Sequence, residues 1–276
     1  MRIRQRKIEF GSPARWTEDG WMDAVRRFAE LVSQPDPPLD RAALVLAAGA
    51  DPNLDIEHWL AELDRLAEGV TDLDGLLHRL FVQERFTGNT RNYYDPRNSL
   101  LPHVLTRRLG IPITLAVVCM EVGRRAGVPI DGVGMPGHFL VRPVGSDVLF
   151  DVFDGGAELT LAACESRFRE LGGTGPFGRH LLEATTTRAI LVRMLENLRA
   201  VFRTLRRPAG TEWILRMRLT LPGAGLPEQL ELAQALGSQA KWIEGARTLE
   251  ALVPAAQPEL AQRLAIAARS LRANLN

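Results

Sequence analysis

The sequence is short of cysteine, of charge imbalance and of long apolar runs, and each shortage closes off a class of protein. Two cysteines, Cys119 and Cys164, in 276 residues are too few for a disulfide framework, and neither stands in a CxxC or Cys/His metal spacing. A reducing cytoplasm is therefore the expected compartment. Lysine and arginine number 34 against 33 aspartates and glutamates, which supplies no field for nucleic acid or an anionic membrane. The basic start (Arg2, Arg4, Arg6, Lys7) has no interleaved aromatics and reads as a solvated terminus. No apolar run reaches the roughly 18 residues that a membrane span needs, and MRIRQRKIEF lacks the apolar core of a secretion signal.

Cofactor and metal motifs are missing too. There is no HExxH and no GxGxxG after a strand, and His58 and His78 each lie on a helix without a second ligand one turn on. The glycine-rich GGTGPFG at 172–178 lacks the spacing of a phosphate loop and reads as a linker. No cofactor and no metal are expected.

What is present is a foldable chain, 46% apolar and 24% charged, long enough for two domains. Trp21, Val25, Phe28, Ala29 and Val32 recur at helical steps over 16–33, and the proline run at 35–38 ends that helix. A short buried helix follows over 39–50. The next carries Ile56, Leu60, Leu63, Leu66 and Ala67 on one face, with Asp55 as cap and Gly69 as stop. The first hundred residues read as wholly helical apart from a loop at 86–99. Ser99 is expected to cap a helix that carries His103 in its first turn and stops at Gly110. From Ile113 to Val122 the chain is apolar on every side except Thr114 and Glu121, the mark of a helix in the middle of a domain, closed by Gly127-Val128-Pro129.

Short β-rich runs at 131–135, 139–144 and 148–153 read as antiparallel strands. If Gly145-Ser146 is a two-residue loop, Leu140 faces Asp151 and His138 faces Phe153. His138 and Asp151 then share a face one diagonal step apart, and Asp154 points the other way. Asp151 is accordingly the preferred partner of His138, with Asp154-Gly155-Gly156 a turn. Met135 and Phe139 read as core, Arg142 as surface. Beyond Leu181 the pattern is helical to the end. TEWILRMRLTLPGAGLPEQ and AKWIEGARTLEALVPAAQPEL echo each other at a spacing somewhat below the period of about 34 for tetratricopeptide units.

RNSLLPHVLTRRLGIPITLAVVCMEVGRRAGVPIDGVGMPGHFLVRP, together with LFDVFDGG, resembles the bacterial SirB family of transglutaminase-like proteins. The resemblance implies an α+β fold: a papain/transglutaminase-like core over 1–180, with a central helix on a small antiparallel sheet and a helical lead-in, then an all-α tetratricopeptide-like region over 181–276. Carried over by position, His138 matches the superfamily's histidine and Asp151 its aspartate, while Pro112 stands where the cysteine belongs. The expected function is a degenerate transglutaminase-like protein that binds or regulates protein partners, without nucleic acid or membrane. The alternative is a hydrolase or acyltransferase using His138 and Asp151 with another nucleophile. Cys119 lies two turns deeper in the helix and reads as a small core residue, and Thr114 as bonded to local backbone. An imidazole that serves structure alone also stays open for His138.

Overall fold

A computed structural model describes residues 18–274, and the basic stretch from Arg2 to Lys7 lies outside them. Helices α1 (Glu18–Ser33), α2 (Leu39–Ala48) and α3 (Ile56–Ala67) form the lead-in. Trp21, Phe28 and Val32 bury one stripe of α1, and α2 is buried on nearly every side. Asp55 caps α3 by accepting the His58 amide at 3.1 Å, and Gly69, at φ +72°, follows its end. Asp72 caps α4 (Leu73–Leu77), which runs on into a π-helical turn at His78–Gln83.

The stretch expected as a loop at 86–99 opens with a short strand. Thr87–Gly88 forms β1 and pairs in parallel with β2 (Leu109–Gly110). The Thr87 amide donates to the Arg108 carbonyl at 3.0 Å and the Asn89 amide to that of Gly110 at 2.9 Å. Two-residue strands are too short to show an alternating pattern. Helix α5 (Leu101–Arg107) ends at Arg108, which takes the left-handed conformation at φ 57°. Gly110 is not its stop: a Cβ there would lie 2.9 Å from the Thr114 hydroxyl, so the glycine serves close packing. Nor does Ser99 cap α5. It is the buried last residue of a 3₁₀ turn, Pro96–Ser99, and Leu100 holds the cap position.

Helix α6 (Pro112–Arg125) is buried along most of its length. Gly127 at φ +74° closes it while the Val128 amide returns to the Gly123 carbonyl at 2.8 Å. Charged groups fasten the same end: Arg125 reaches Asp40 at 2.6 Å, Asp64 at 2.7 Å and Glu121 at 2.9 Å, tying α2 and α3 to α6. Burial raises the pKa of Glu121, and the neighbouring charge of Asp40 adds to it. Asp40 is also pushed up by burial, but the hydrogen bonds from Arg125 and the Arg41 amide, with the charges of Arg125 and Arg124, together outweigh that and leave it below the usual range.

Strands β3 (Ile130–Val133), β4 (Leu140–Pro143), β5 (Leu149–Asp151) and β6 (Ala157–Leu159) form one antiparallel sheet in sequential order. Alternation sorts its faces. Val141 and Phe150 join the main core around α6, whereas Val133, Leu140 and Leu149 pack with Cys164 and Phe168 of α7 (Leu161–Glu170). Asp131 and Arg142 are cross-strand partners, with Arg142 Nε 3.7 Å from Asp131 and Nη1 donating to the Leu182 carbonyl at 3.4 Å. Arg142 is thus held against β3, half-buried, rather than free on the surface.

Among the described residues five α-helices follow, α8 (Thr187–Thr204), α9 (Pro208–Arg218), α10 (Leu226–Gly237), α11 (Trp242–Glu250) and α12 (Pro258–Ala273), and from α9 on each packs on its predecessor. Ile190, Met194, Leu198 and Trp213, from α8 and α9, belong to the same core as α1, α2 and α6. The later helices bury smaller clusters of their own. Among the described residues no helix is long and apolar enough to cross a membrane.

Candidate functional site

His138 sits at the end of a turn just before β4. Its amide donates to the Met135 carbonyl at 3.0 Å, and Gly137, at φ +78°, gives the turn its hand. Val141 pairs with Phe150 across β4 and β5, the register that sets Leu140 opposite Asp151. Asp151 ends β5 and caps the 3₁₀ turn Val152–Asp154. Its Oδ1 accepts the amides of Phe153 at 3.0 Å and Asp154 at 3.3 Å, while Oδ2 lies 2.9 Å from His138 Nε2. Asp154 itself stands in the turn with Gly155 and Gly156, both at positive φ.

The pair is buried: His138 is 5% exposed and Asp151 0%. Burial pushes the Asp151 carboxyl up, but the His138 hydrogen bond, the Phe153 amide and the charge of Arg167 at 3.9 Å outweigh it and hold it below the usual range. With Nε2–H donated to the carboxylate, a neutral His138 keeps its other nitrogen, Nδ1, as a lone-pair acceptor. The dyad can therefore orient an imidazole and accept a proton.

Among the described residues, the side chains at the start of α6 and the two thiols are all buried. Pro112 opens α6 and is buried together with Ile111 and Ile113. The Thr114 hydroxyl is fully buried, donating to the Asn98 carbonyl at 2.6 Å and accepting the Ile111 amide at 3.1 Å. Cys119 is fully buried, and burial pushes its thiol up to about 12. Burial and the Asp151 charge raise Cys164 as well. Among the described residues no hydrogen bond links either thiol to His138. A reactive cysteine needs thiolate character, and both environments suppress it.

Around the dyad the structure gathers Phe153, which the strand register already set opposite His138, and groups that the sequence does not announce. Rings run outward from His138: Phe153 at 6.2 Å, then Tyr93 6.1 Å from Phe153, then Tyr94 at 5.4 Å. Tyr94, at the outer end, is 70% exposed. A Cβ on Gly88 would lie 2.5 Å from the Phe153 ring, so β1 forms the floor under it. The loop at 86–99 is packed by its own side chains, with Asn98 donating to the carbonyls of Asn92 and Tyr93 and accepting from Asn89 at 3.0 Å. Arg193 of α8 donates to the His138 carbonyl at 2.6 Å and lies over the Phe139 ring. Burial lowers its pKa, and among the described residues it has no carboxylate partner. Its only trace in the sequence is a position at the margin of the apolar stripe Ile190, Leu191, Met194.

The remaining histidines stand apart. His58 meets Trp59 edge-on at 4.9 Å, and burial lowers the pKa of His103, with Arg107 adding to the effect. Among the described residues no group of three or more His, Cys, Asp or Glu could hold a metal ion.

A buried helix laid on a small antiparallel sheet, with many further helices, makes this a mixed, helix-rich protein consistent with a transglutaminase-like α+β core. The chain belongs to the transglutaminase-like superfamily, whose sequence profile matches residues 50–196. It is 41% identical over 182 residues to a UPF0162 protein of Xylella fastidiosa strain Temecula1, covering 60% of this chain and 65% of that one. A UPF0162 protein of Pseudomonas aeruginosa is 34% identical over 189 residues, 64% of this chain and 70% of its own. F-box only protein 21 of Homo sapiens is 30% identical over 177 residues, 58% of this chain but 26% of that protein. No solved structure matches.

Proposed function

We propose that the chain is a SirB-type transglutaminase-like protein that has given up acyl chemistry and serves as a cytoplasmic protein-binding or regulatory module, with its tetratricopeptide-like tail from residue 181 presenting surface to a protein partner. The observation that carries this reading is the start of α6, where a buried proline stands in place of a thiol and the nearest hydroxyl, on Thr114, is tied to backbone. Likeness to F-box only protein 21 over 58% of the chain supports a role in protein interaction. The stepwise packing of α8 to α12 supports a repeat-like tail.

The test is recovery of the tagged full-length chain from its native cells. The reading predicts a partner protein in near-stoichiometric amount, retained when both cysteines are replaced (Cys119→Ala with Cys164→Ala). Recovery of the chain alone would count against it.

The intact 2.9 Å contact between His138 and Asp151 favours a second reading, a hydrolase or acyltransferase with another nucleophile. On that reading activated esters would turn over, and the rate would fall about a hundredfold or more in His138→Gln. The first reading predicts no turnover above that of the variant.

A further inference from the structure

Leu230 and Gln234 of α10 and Ser238 at its C-terminal cap, about one turn apart, form a ridge between two clefts. On one side a cleft of about 700 Å³ lies between the end of α8, the start of α9 and α10, and Arg203, Arg206 and Arg207 line it. On the other, a cleft of about 470 Å³ is walled by Trp242, Leu249 and Leu271.

The three arginines are exposed, and among the described residues none of their side chains makes a hydrogen bond or ion pair. Arg199, one turn earlier on α8, is by contrast engaged with Glu196, Glu228 and Glu231. Among the described residues Glu231 is the one carboxylate lining the basic cleft, and it is already turned to Arg199. Three positive charges within five residues therefore go uncompensated.

We infer that this double cleft binds an acidic, amphipathic segment of a protein partner, its carboxylates on Arg203, Arg206 and Arg207 and its apolar side chains over Leu230 and against Trp242. Leu230 is 37% exposed on the ridge between them, so one helix-sized ligand can meet both surfaces. A nucleic acid fits less well. The chain carries a net charge of only +1, and Phe202, the aromatic ring lining the basic cleft, is 1% exposed and offers no face on which a base could stack. The inference rests on the protein-binding reading and names the partner's chemistry.

The probes are a short fluorescein-labelled Glu/Leu amphipathic peptide, its Glu→Gln analogue, and a thymidine oligonucleotide of similar length, each titrated against the full-length chain. The Glu/Leu peptide is expected to bind, to weaken as salt is raised, and to lose about tenfold in affinity when Arg203→Ala, Arg206→Ala and Arg207→Ala are combined. Leu230→Asp, on the ridge, should weaken it independently. Equal binding of the Gln analogue, unchanged affinity in the triple variant, or tighter binding of the oligonucleotide would overturn the inference. A native partner that co-purifies equally with wild type and triple variant would overturn the cleft assignment while leaving the protein-binding reading in place. Absence of any stoichiometric partner would overturn that reading instead, with the peptide titration still deciding the cleft.

Discussion

Asp151 carries three hydrogen bonds at once, two from amides of the turn it caps and one shared with His138. Asp151→Asn keeps an oxygen for the amides but loses the charge that the imidazole and Arg167 face. A cost of about 2 kcal/mol in urea unfolding at neutral pH is expected. Acid sensitivity gives the sign. A carboxyl whose folded pKa lies below its unfolded value stabilises above that unfolded value, 3.8, and the contribution is lost as pH falls through the folded one. The variant should therefore lose less stability than wild type as pH drops below about 4. The adjacency of His138 and Asp151 is legible in the sequence because period-two alternation ties every position of two neighbouring strands to one face. Arg193 is not, since it comes from α8, 55 residues on, and nothing local announces that an arginine at the rim of an apolar stripe reaches a strand. It reaches His138 because β3 is tied to the chain just before α8, the Thr185 amide donating to the Gly132 carbonyl at 2.8 Å.

Elements with many residues are the legible ones. Helix α6 shows itself through unbroken apolar character, and α3 through its spacing and the Asp55 cap. The β1–β2 pair does not, because two residues carry no period and its location depends on Arg85 and Arg108 turning the chain in left-handed conformations. Yet that pair floors the site. Gly88→Ala puts a methyl 2.5 Å from the Phe153 ring, so the ring must move, at a cost of about 1–3 kcal/mol. A lowered thermal midpoint with shifted Phe153 and Tyr93 ring resonances is expected, and an unchanged spectrum would contradict the packing described for β1. The charged cluster holding α2 and α3 to α6 is a second element-scale feature. Arg125→Met leaves Asp40 buried without its closest cation, and should destabilise by about 3 kcal/mol.

Across the whole molecule, the change from α+β to all-helix near residue 180 is plain in the sequence, but the continuity of the core is not. Trp213 of α9 packs directly on Gly49 at the end of α2, where an added Cβ would lie 2.6 Å from the indole. Gly49→Ala should therefore lower the thermal midpoint of the entire chain in a single transition, and two separate transitions would show that the halves melt apart. Sequence periodicity cannot reveal such a contact, since it joins residues far apart in the chain through the absence of a side chain. On the proposed reading, His138 and Asp151 have no thiol to activate. The most direct measurement is iodoacetamide labelling of the native full-length protein at neutral pH, read by intact mass. Neither Cys119 nor Cys164 should be modified until denaturant is added, and rapid stoichiometric alkylation of either in the folded protein would contradict the account.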